Sequence, residues 1–411
     1  MVTRYDVFAL MYKEGGVLRP TDVVQRFEKT QSEYDRMYKI LLELEGSALV
    51  KKTEHGFQAV RNRKNDLLYG LIQFCIKNDV SYNELLDRNI AEFIARALSK
   101  DSFFINDFNL NPRTFSKYID VLQKNGLLIL LSRKPLVAIV PYNSFLADIA
   151  TYFGFKGSPF KGRREYSEDI KNELTKYRRL RRTHEREYQA LIESFEIRFI
   201  HHSLSIEGNP ITLAQTFKLL KENIVSKDLP VESVMEVRNY QAAFEQMLRE
   251  SEGRRPLTRE SILNYHYLSM RHREDIAGKI RAVPVYIRGN EDFQVAKVKE
   301  IEPKLSALVK RYNAFTKQKH PLQDILKFAS FLHNEFQHIH PFVDGNSRTT
   351  RLITFHFLRV QGIPVFDIPL GLLEEYVDAT KGASSRDDKA LMHILQLIIL
   401  FNLKALNEKL S

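Results

Sequence analysis

The sequence predicts a mainly α-helical protein that is preceded by small α+β modules. Apolar residues recur at helical spacing through most of the chain between residue 166 and Ser411. Before that region, helical segments alternate twice with a pair of short extended runs that flank a polar turn, which is typical of β-hairpins. The length of 411 residues is too great for one compact core and favours several domains.

The first 150 residues contain the same arrangement twice. Three helical segments precede "ALVKKTEHGFQAV", which predicts a hairpin, and further helices precede a second predicted hairpin, "LLILLSRKPLVAIV". Three helices and a hairpin resemble a winged helix-turn-helix. We therefore expect two such modules in tandem, at residues 1–63 and 64–150.

Winged helices of this kind contact DNA through their third helix. The corresponding segments here carry only a few basic side chains, at Arg36, Lys39, Arg113 and Lys117. The alternative is that the modules dimerise or dock a protein, so a DNA or protein partner of residues 1–150 and a homodimer both stay open.

Composition limits the class of protein. The net charge is +11, and the basic excess is densest in residues 151–190, which we interpret as a basic linker and helix. Cys75 is the single cysteine, which excludes an internal disulfide and suits a reducing compartment. Its position in a helical pattern predicts a buried side chain. The N-terminus is charged where a signal peptide is apolar, and no run of about 18 apolar residues was apparent, so a cytoplasmic protein without a membrane span is expected.

Residues 191–411 read as a helical domain with one interruption. The segment "VPVYIRGNEDFQVAKV", residues 283–298, has two extended runs about a Gly-Asn turn and predicts a lone β-hairpin. Because two strands without a larger sheet are only marginally stable, we expect this hairpin to have a role beyond packing.

The stretch "HPFVDGNSRTTR", residues 340–351, concentrates groups that suit phosphate chemistry. Pro341 ends the preceding helix and a new helix is predicted near Asn346, so the first-turn amides offer partial positive charge to a phosphate. Arg348 and Arg351 suit phosphoryl oxygens, and Asp344 suits Mg²⁺. His340 is the one side chain here of a type whose unperturbed pKa, about 6.5, allows it to accept a proton near neutrality.

This stretch resembles the signature of the Fic family, HxFx(D/E)GNxRxxR, at every defined position. The resemblance extends over about residues 190–400 and implies an all-helical Fic-type domain, residues 191–411, with a hairpin flap. It also implies transfer of AMP from ATP to a hydroxyl group on a protein. The roles that it implies are a general base at His340, a Mg²⁺ ligand at Asp344, nucleotide binding by Gly345, Asn346, Ser347, Arg348 and Arg351, and a target-binding flap at Val285, Tyr286 and Ile287.

A second motif resembles the inhibitory helix of the same family, (S/T)xxxE(G/N). It consists of Ser203, Glu207 and Gly208, on the N-terminal side of the first motif. The resemblance implies that Glu207 pairs with Arg351 and keeps that arginine from the γ-phosphate. In part of the family this glutamate also positions water for the removal of AMP, so a second reaction is left open.

Two alternatives remain at this point. Ser347 stands where AMP transferases of the family usually have Gly and a phosphotransferase branch has Lys. A small uncharged residue favours AMP transfer, but phosphoryl transfer or transfer of another nucleotide stays open. The other alternative is a DNA-binding regulator in which the Fic-type domain only senses a nucleotide.

Overall fold

The structure, a computed structural model, describes residues 2–158, 164–287, 290–383 and 385–411. These residues divide into two compact units. The first contains Met1–Ser99 and Ser144–Pro159, and the second contains Lys100–Asn143 and Phe160–Ser411. Helices dominate the described residues, which confirms the predicted mainly α fold class.

The first unit combines helices with a small antiparallel sheet. The hairpin predicted at residues 48–60 is formed by β2 and β3, and a two-residue strand that the sequence pattern did not reveal, β1, adds to the edge in the order β1-β3-β2. Its elements are α1 (Arg4–Glu14), β1 (Val17–Leu18), α2 (Pro20–Arg26), α3 (Tyr34–Gly46), β2 (Val50–Thr53), β3 (Gly56–Ala59), α4 (Arg63–Lys77), α5 (Tyr82–Leu85), α6 (Arg88–Leu98) and, later in the chain, α8 (Ser144–Tyr152).

The second unit begins with another three-stranded sheet and continues as a helical domain. The second predicted hairpin is formed by β5 and β6, and the strand order is β4-β6-β5. The first elements are β4 (Phe103–Phe104), α7 (Pro112–Lys124), β5 (Ile129–Arg133) and β6 (Leu136–Ile139). The helices that follow are α9 (Ser167–Thr183), α10 (Glu185–Ile206), α11 (Leu213–Phe217), α12 (Val231–Glu252), α13 (Arg259–Met270), α14 (Val298–Thr316), α15 (Leu322–Ile339), α16 (Asn346–Val360), α17 (Leu373–Asp378) and α18 (Asp388–Lys409).

The two compact units and the predicted modules have different boundaries, and the predicted division into domains stays a prediction. The expected second module, residues 64–150, is divided, because Lys100–Asn143 belongs to the second unit. The physical reason lies in contacts between β5 and α18. Lys404 donates to the carbonyl of Leu131 at 2.8 Å, and Arg133 forms an ion pair with Glu408. The winged-helix assignment of both modules remains a prediction.

Helix α16 lies at the centre of the helical domain. Nearly all its side chains are buried, including several polar ones, and it packs against α12, α13 and α15. Burying polar and charged groups is costly unless they are paired, so a central helix with buried arginines indicates a site rather than a simple core helix.

Helix α18 corrects one expectation. By length and composition it is apolar enough to cross a membrane, although no such stretch was expected. Of its most apolar window, 67% is buried inside the protein, and core helices of soluble proteins pass the same test.

Cys75 is buried, as predicted.

The predicted hairpin at residues 283–298 is not formed as two strands. Its described residues are irregular or extended, with one isolated antiparallel bridge between Ile287 and Asn290, and Val298 already begins α14. The turn residues Arg288 and Gly289 lie outside the described residues. Among the described residues no third strand pairs with the two arms. The Arg281 guanidinium instead binds a carbonyl in each of them, at Val283 and Ala296.

Candidate active site

His340 lies at the junction between α15 and the turn that leads to α16. It has φ 47° and ψ 61°, the left-handed conformation, and its N–H donates to the carbonyl of Phe336 at 3.0 Å. This geometry ends the helix one residue before Pro341. A non-glycine residue in this conformation is uncommon, and such residues are enriched at functional sites.

The imidazole of His340 is neutral and has one ring nitrogen that can accept a proton. Its Nδ1 lies 3.1 Å from the carbonyl of Gln337, and since a carbonyl only accepts, Nδ1 carries the hydrogen and Nε2 has the free lone pair. Burial lowers the pKa of His340 to about 4, and the positive charge of Arg281 acts in the same direction. The hydrogen bond to Gln337 acts to raise the pKa but is the smaller effect. The ring is therefore neutral at neutral pH.

Asn346 holds the turn between the two helices. Its Oδ1 accepts from the N–H of Phe342 at 3.0 Å, and its Nδ2 donates to the carbonyl of Phe342 at 2.8 Å. Both ends of the amide are thus used in shaping the loop. In this arrangement Asn346 sets the position of the turn, and its predicted contact with a phosphate remains a prediction.

His266 supports the same turn from α13. Its Nδ1 accepts from the N–H of Gly278, so Nε2 carries the hydrogen and donates to the carbonyl of Asp344 at 2.9 Å. Its ring stacks on Phe342, with centroids 3.7 Å apart and planes 6° from parallel. Burial lowers the pKa of His266 to about 4, which keeps this support neutral. The sequence pattern gave no signal for its role.

Gly345 is required for the tight approach of the turn to α13. It has φ +76°, and a Cβ at this position would lie 2.9 Å from Met270 Cγ and 3.1 Å from His266 Nε2. The left-handed conformation and the close neighbours both disfavour a side chain here.

Replacing Gly345 by alanine is expected to destabilise the fold more than the same change at Gly362. Both glycines have φ +76°, but the nearest atom to a Cβ at Gly362 is 3.9 Å away, so Gly362→Ala is the matched control for backbone strain alone. We expect the collision at Gly345 to add about 1–3 kcal/mol to the loss, as in overpacked cores. Urea unfolding of the two variants measures this difference, and equal losses would contradict it.

The first turn of α16 offers a seat for an anion. The N–H groups of Asn346, Ser347 and Arg348 precede the first intrahelical bond, which Thr349 makes to the carbonyl of Gly345 at 3.0 Å. Ser347 is half-buried. Free amides at a helix N-terminus favour negative charge, and phosphate is the usual occupant.

Asp344 fits a magnesium ion that is shared with phosphates. Its side chain is 56% exposed, and only Oδ1 is engaged, by the N–H of Gly345 at 2.6 Å and by Arg348 at 3.4 Å. Within the described residues no group of three or more His, Cys, Asp or Glu could hold a metal. One carboxylate is enough where substrate phosphates and water complete the coordination of Mg²⁺.

Arg348 is buried and paired with an acid that the sequence analysis did not identify. Its Nη1 lies 2.9 Å from Glu236 Oε1 on α12, and its side chain is only 4% exposed. Asn209, two residues after Glu207, donates to the other oxygen of Glu236 at 2.8 Å. Glu236 is distant in sequence from both motifs, so only the packing of α12 on α16 reveals the pair.

Arg351 forms the ion pair that the second motif implied. Its Nη2 lies 3.0 Å from Glu207 Oε1 and 3.0 Å from the carbonyl of Ser203, while its Nε donates to Ser203 Oγ at 2.6 Å. The arginine is 1% exposed. Burial acts to lower its pKa, but Glu207 together with Tyr240 and Tyr376 raises the pKa of Arg351 above its usual value. Burial acts to raise the pKa of Glu207, but Arg351 and Lys381 hold it below its usual value.

Lys381 is a further partner of Glu207 that the sequence analysis missed. It lies between α17 and α18, and its Nζ is 3.0 Å from Glu207 Oε2. Each carboxylate oxygen of Glu207 therefore has its own cation. A lone lysine in a polar connection carries no sequence signal of this role.

Arg281 ties the predicted flap to the catalytic turn. Its Nε donates to the carbonyl of His340 at 2.7 Å, and its backbone N–H donates to that of Pro341 at 2.9 Å. Its remaining guanidinium nitrogens reach Val283 at 2.9 Å and Ala296 at 2.5 Å, one on each arm. On the first of these arms Val285 and Ile287 are half-buried, and Tyr286 is 82% exposed.

Comparison with known proteins places these features in a family context. Residues 256–358 match the Fic/DOC family model. Protein adenylyltransferase Fic of Drosophila persimilis is 27% identical over 198 residues, which cover 48% of this chain and 38% of that protein. The protein of the same name in Drosophila melanogaster is 28% identical over 201 residues, which cover 48% of this chain and 39% of that protein. The match thus spans well under half the length of these relatives.

A solved structure shows the same fold. A Fic domain-containing signalling protein from Bacteroides thetaiotaomicron superposes with a TM-score of 0.51 at 23% identity, over 59% of this chain and 96% of that chain. The resemblance to the Fic family is therefore confirmed at the level of a domain and a fold.

Proposed function

We propose that the Fic/DOC domain of this chain is an autoinhibited protein adenylyltransferase, which transfers AMP from ATP to a Ser, Thr or Tyr hydroxyl of a target protein or of itself. One observation carries the proposal. The neutral imidazole of His340 stands beside a helix N-terminus at Asn346, and the arginine that would bind the far phosphates, Arg351, is held by Glu207.

The chemistry is a direct displacement. His340 Nε2 accepts the proton of the attacking hydroxyl as its oxygen forms a bond to the α-phosphorus. The bond from that phosphorus to the bridging oxygen breaks, and pyrophosphate leaves with the electron pair. The products are an AMP ester of the side chain and pyrophosphate, with no covalent enzyme intermediate.

Binding of the triphosphate is divided among the remaining groups. The first-turn amides of α16 receive one phosphate, and Arg348 and Arg351 receive the others. Asp344 would hold a magnesium ion, which would offset the negative charge of the phosphates. The run Val285, Tyr286 and Ile287, of which Tyr286 is exposed and the other two are half-buried, is the proposed contact for the target backbone, which adds as a strand beside it.

Inhibition follows from the pairing of Arg351. While Glu207 holds its guanidinium, that group is unavailable to the γ-phosphate, and the triphosphate loses one of the contacts that align the α-phosphorus for attack. Ser203 keeps the arginine in place from the same helix, at 2.6 Å. The enzyme as folded is therefore a low-activity form.

The transferred group is identified by labelling a Glu207→Gly variant with ATP carrying radioactivity in either the α- or the γ-phosphate. AMP transfer predicts label from the α-phosphate only, and mass spectrometry of the labelled peptide then gives the added mass and the acceptor residue. Label from the γ-phosphate would instead identify phosphoryl transfer, and another added mass would identify another nucleotide.

The rate of transfer should depend little on pH in the neutral range. With the pKa of His340 lowered to about 4, the base stays deprotonated, and kcat/KM falls only as the pH drops through that value. We expect kcat/KM for ATP, measured on the Glu207→Gly variant, to be nearly constant from about pH 7.5 down to about pH 5.5. A midpoint near pH 6.5, the value of an exposed histidine, would contradict the assigned environment of the base.

DNA regulation has less support. Arg36, one of the basic residues in the third helix of the first unit, is 2.7 Å from the carbonyl of Val2 and 3.2 Å from Glu33. It is therefore engaged within its own unit, and no contact in the described residues favours a nucleic-acid surface there.

A further inference from the structure

The carboxylate of Glu207 occupies a position between two cations from different elements. Its Oε1 lies 3.0 Å from Arg351 Nη2 on α16, and its Oε2 lies 3.0 Å from Lys381 Nζ in the connection between α17 and α18. The two cations thus hold the two oxygens of one anionic group. This is the arrangement in which a charged oxygen pair is commonly recognised.

We propose that Lys381 is a second cationic ligand of the terminal phosphate of ATP, so that it completes, beside Arg351, a subsite that Glu207 fills in this structure; this rests on the nucleotide-binding function proposed above. When Glu207 withdraws, a phosphoryl group takes its place with one oxygen on each cation. Lys381 is then a phosphate ligand as well as a partner of the inhibitory glutamate.

The electrostatics of the site require an anion at this point. Arg351 is 1% exposed, and apart from Glu207 its hydrogen-bond partners are uncharged groups, at Ser203, Tyr240 and Tyr376. A buried guanidinium without a counter-charge is costly, so its anion is replaced more readily than lost. A terminal phosphate supplies that charge, and Lys381, whose side chain is 26% exposed, supplies the second cation from the solvent side.

The backbone of Lys381 is held by Asn290, which also forms the isolated bridge with Ile287 in the predicted flap. Asn290 Nδ2 donates to the carbonyl of Lys381 at 2.9 Å and to that of Ala383 at 2.8 Å. The N–H of Gly382 also donates to the carbonyl of Val377 at 2.9 Å. With its backbone held on both sides, Lys381 reaches the subsite without ordering a free loop, which lowers the entropic cost of binding.

A simple surface ion pair makes a different prediction. If Lys381 only stabilised Glu207, its removal would have no effect on nucleotide binding once Glu207 is gone. If it is a phosphate ligand, its removal in that background weakens binding of ATP and leaves binding of AMP unchanged, because AMP has no terminal phosphate at this position.

The test measures the Kd of ATP and of AMP, each with Mg²⁺, by isothermal titration calorimetry on Glu207→Gly and on Glu207→Gly/Lys381→Met. We expect the affinity for ATP to fall about 10-fold, as for loss of a charged hydrogen bond, and the affinity for AMP to be unchanged. Lys381→Arg should restore most of the ATP affinity. Lys389→Met, at an exposed position in the first turn of α18, is the matched control and should change neither value.

Unchanged binding of ATP, or equal losses for ATP and AMP, would overturn the subsite. The binding assay does not depend on transfer, so the two proposals fail separately. If the Glu207→Gly protein binds ATP through Lys381 but labels no protein, the transferase proposal is wrong and the subsite stands. If it labels protein while Lys381→Met binds ATP as before, only the subsite is wrong.

Discussion

The Glu207→Gly substitution is expected to raise AMP transfer by about 100-fold and, at the same time, to lower the stability of the fold. The gain has a simple origin, because hydrogen bonds to charged groups are worth about 1.5–3 kcal/mol each and a factor of ten in rate corresponds to about 1.4 kcal/mol. Removing the carboxylate frees Arg351 for the γ-phosphate. Self-labelling with α-labelled ATP measures the gain.

The loss of stability follows from the same contact. Arg351 is buried, and without Glu207 it keeps only bonds to uncharged groups, at Ser203, Tyr240 and Tyr376, so we expect the free energy of unfolding to fall by about 1–3 kcal/mol. Opposite signs for activity and stability distinguish release of inhibition from general damage. Urea unfolding without nucleotide measures the stability term.

Glu252→Gly is the matched control for this variant. Glu252 forms a similar pair with the largely buried Arg359, at 3.1 Å, away from the catalytic turn. We expect the Glu252→Gly variant to label at the wild-type level. Labelling by Glu207→Gly that equals wild type would reject the inhibitory role of Glu207.

Replacing His340 is expected to lower transfer by about 10²–10⁴-fold, the usual contribution of a general base, while ATP binding is largely retained. The measurement is made in the Glu207→Gly background, where transfer is high enough to follow. Binding persists because the first-turn amides of α16 and both arginines remain. The Kd of ATP and the rate of labelling are measured on the same protein.

The conformation of His340 decides which substitution is most informative. Alanine at φ 47° adds backbone strain to the loss of the base, whereas asparagine tolerates the left-handed region. His340→Asn is therefore the cleaner test, and His340→Ala shows whether strain adds to the effect. Transfer near the parent rate in His340→Asn would mean that another group accepts the proton.

How far the sequence predicts this site depends on the kind of contact. The pair between Arg351 and Glu207 was expected, because two motifs with fixed spacing each supply one partner. The acid on Arg348 was not, since Glu236 belongs to an ordinary amphipathic helix and only helix packing brings it near. Lys381 lies in a connection whose course depends on α17 and α18 together.

Asn346 and the flap show a second limit. The residue type of Asn346 indicates a hydrogen-bonding role, but the sequence pattern does not decide whether its partner is a phosphate or the protein backbone. In this structure the Asn346 amide binds the backbone of Phe342. The alternation in residues 283–298 indicated strands, yet a single bridge is formed. Alternation of apolar and polar residues indicates that a segment can form a strand if a partner strand is present. In residues 283–298 the carbonyl groups of Val283 and Ala296 are instead bound by the side chain of Arg281.

The contacts of Arg281 bear on any attempt to redirect the protein to new acceptors. One guanidinium holds both arms of the flap and also the carbonyl of the proposed base. If residues 285–287 contact the acceptor as proposed, we expect libraries that randomise them and leave Arg281 untouched to alter acceptor preference without moving the proposed proton acceptor. Variation at Arg281 would sacrifice turnover and acceptor recognition together, so it is an unsuitable position for directed evolution.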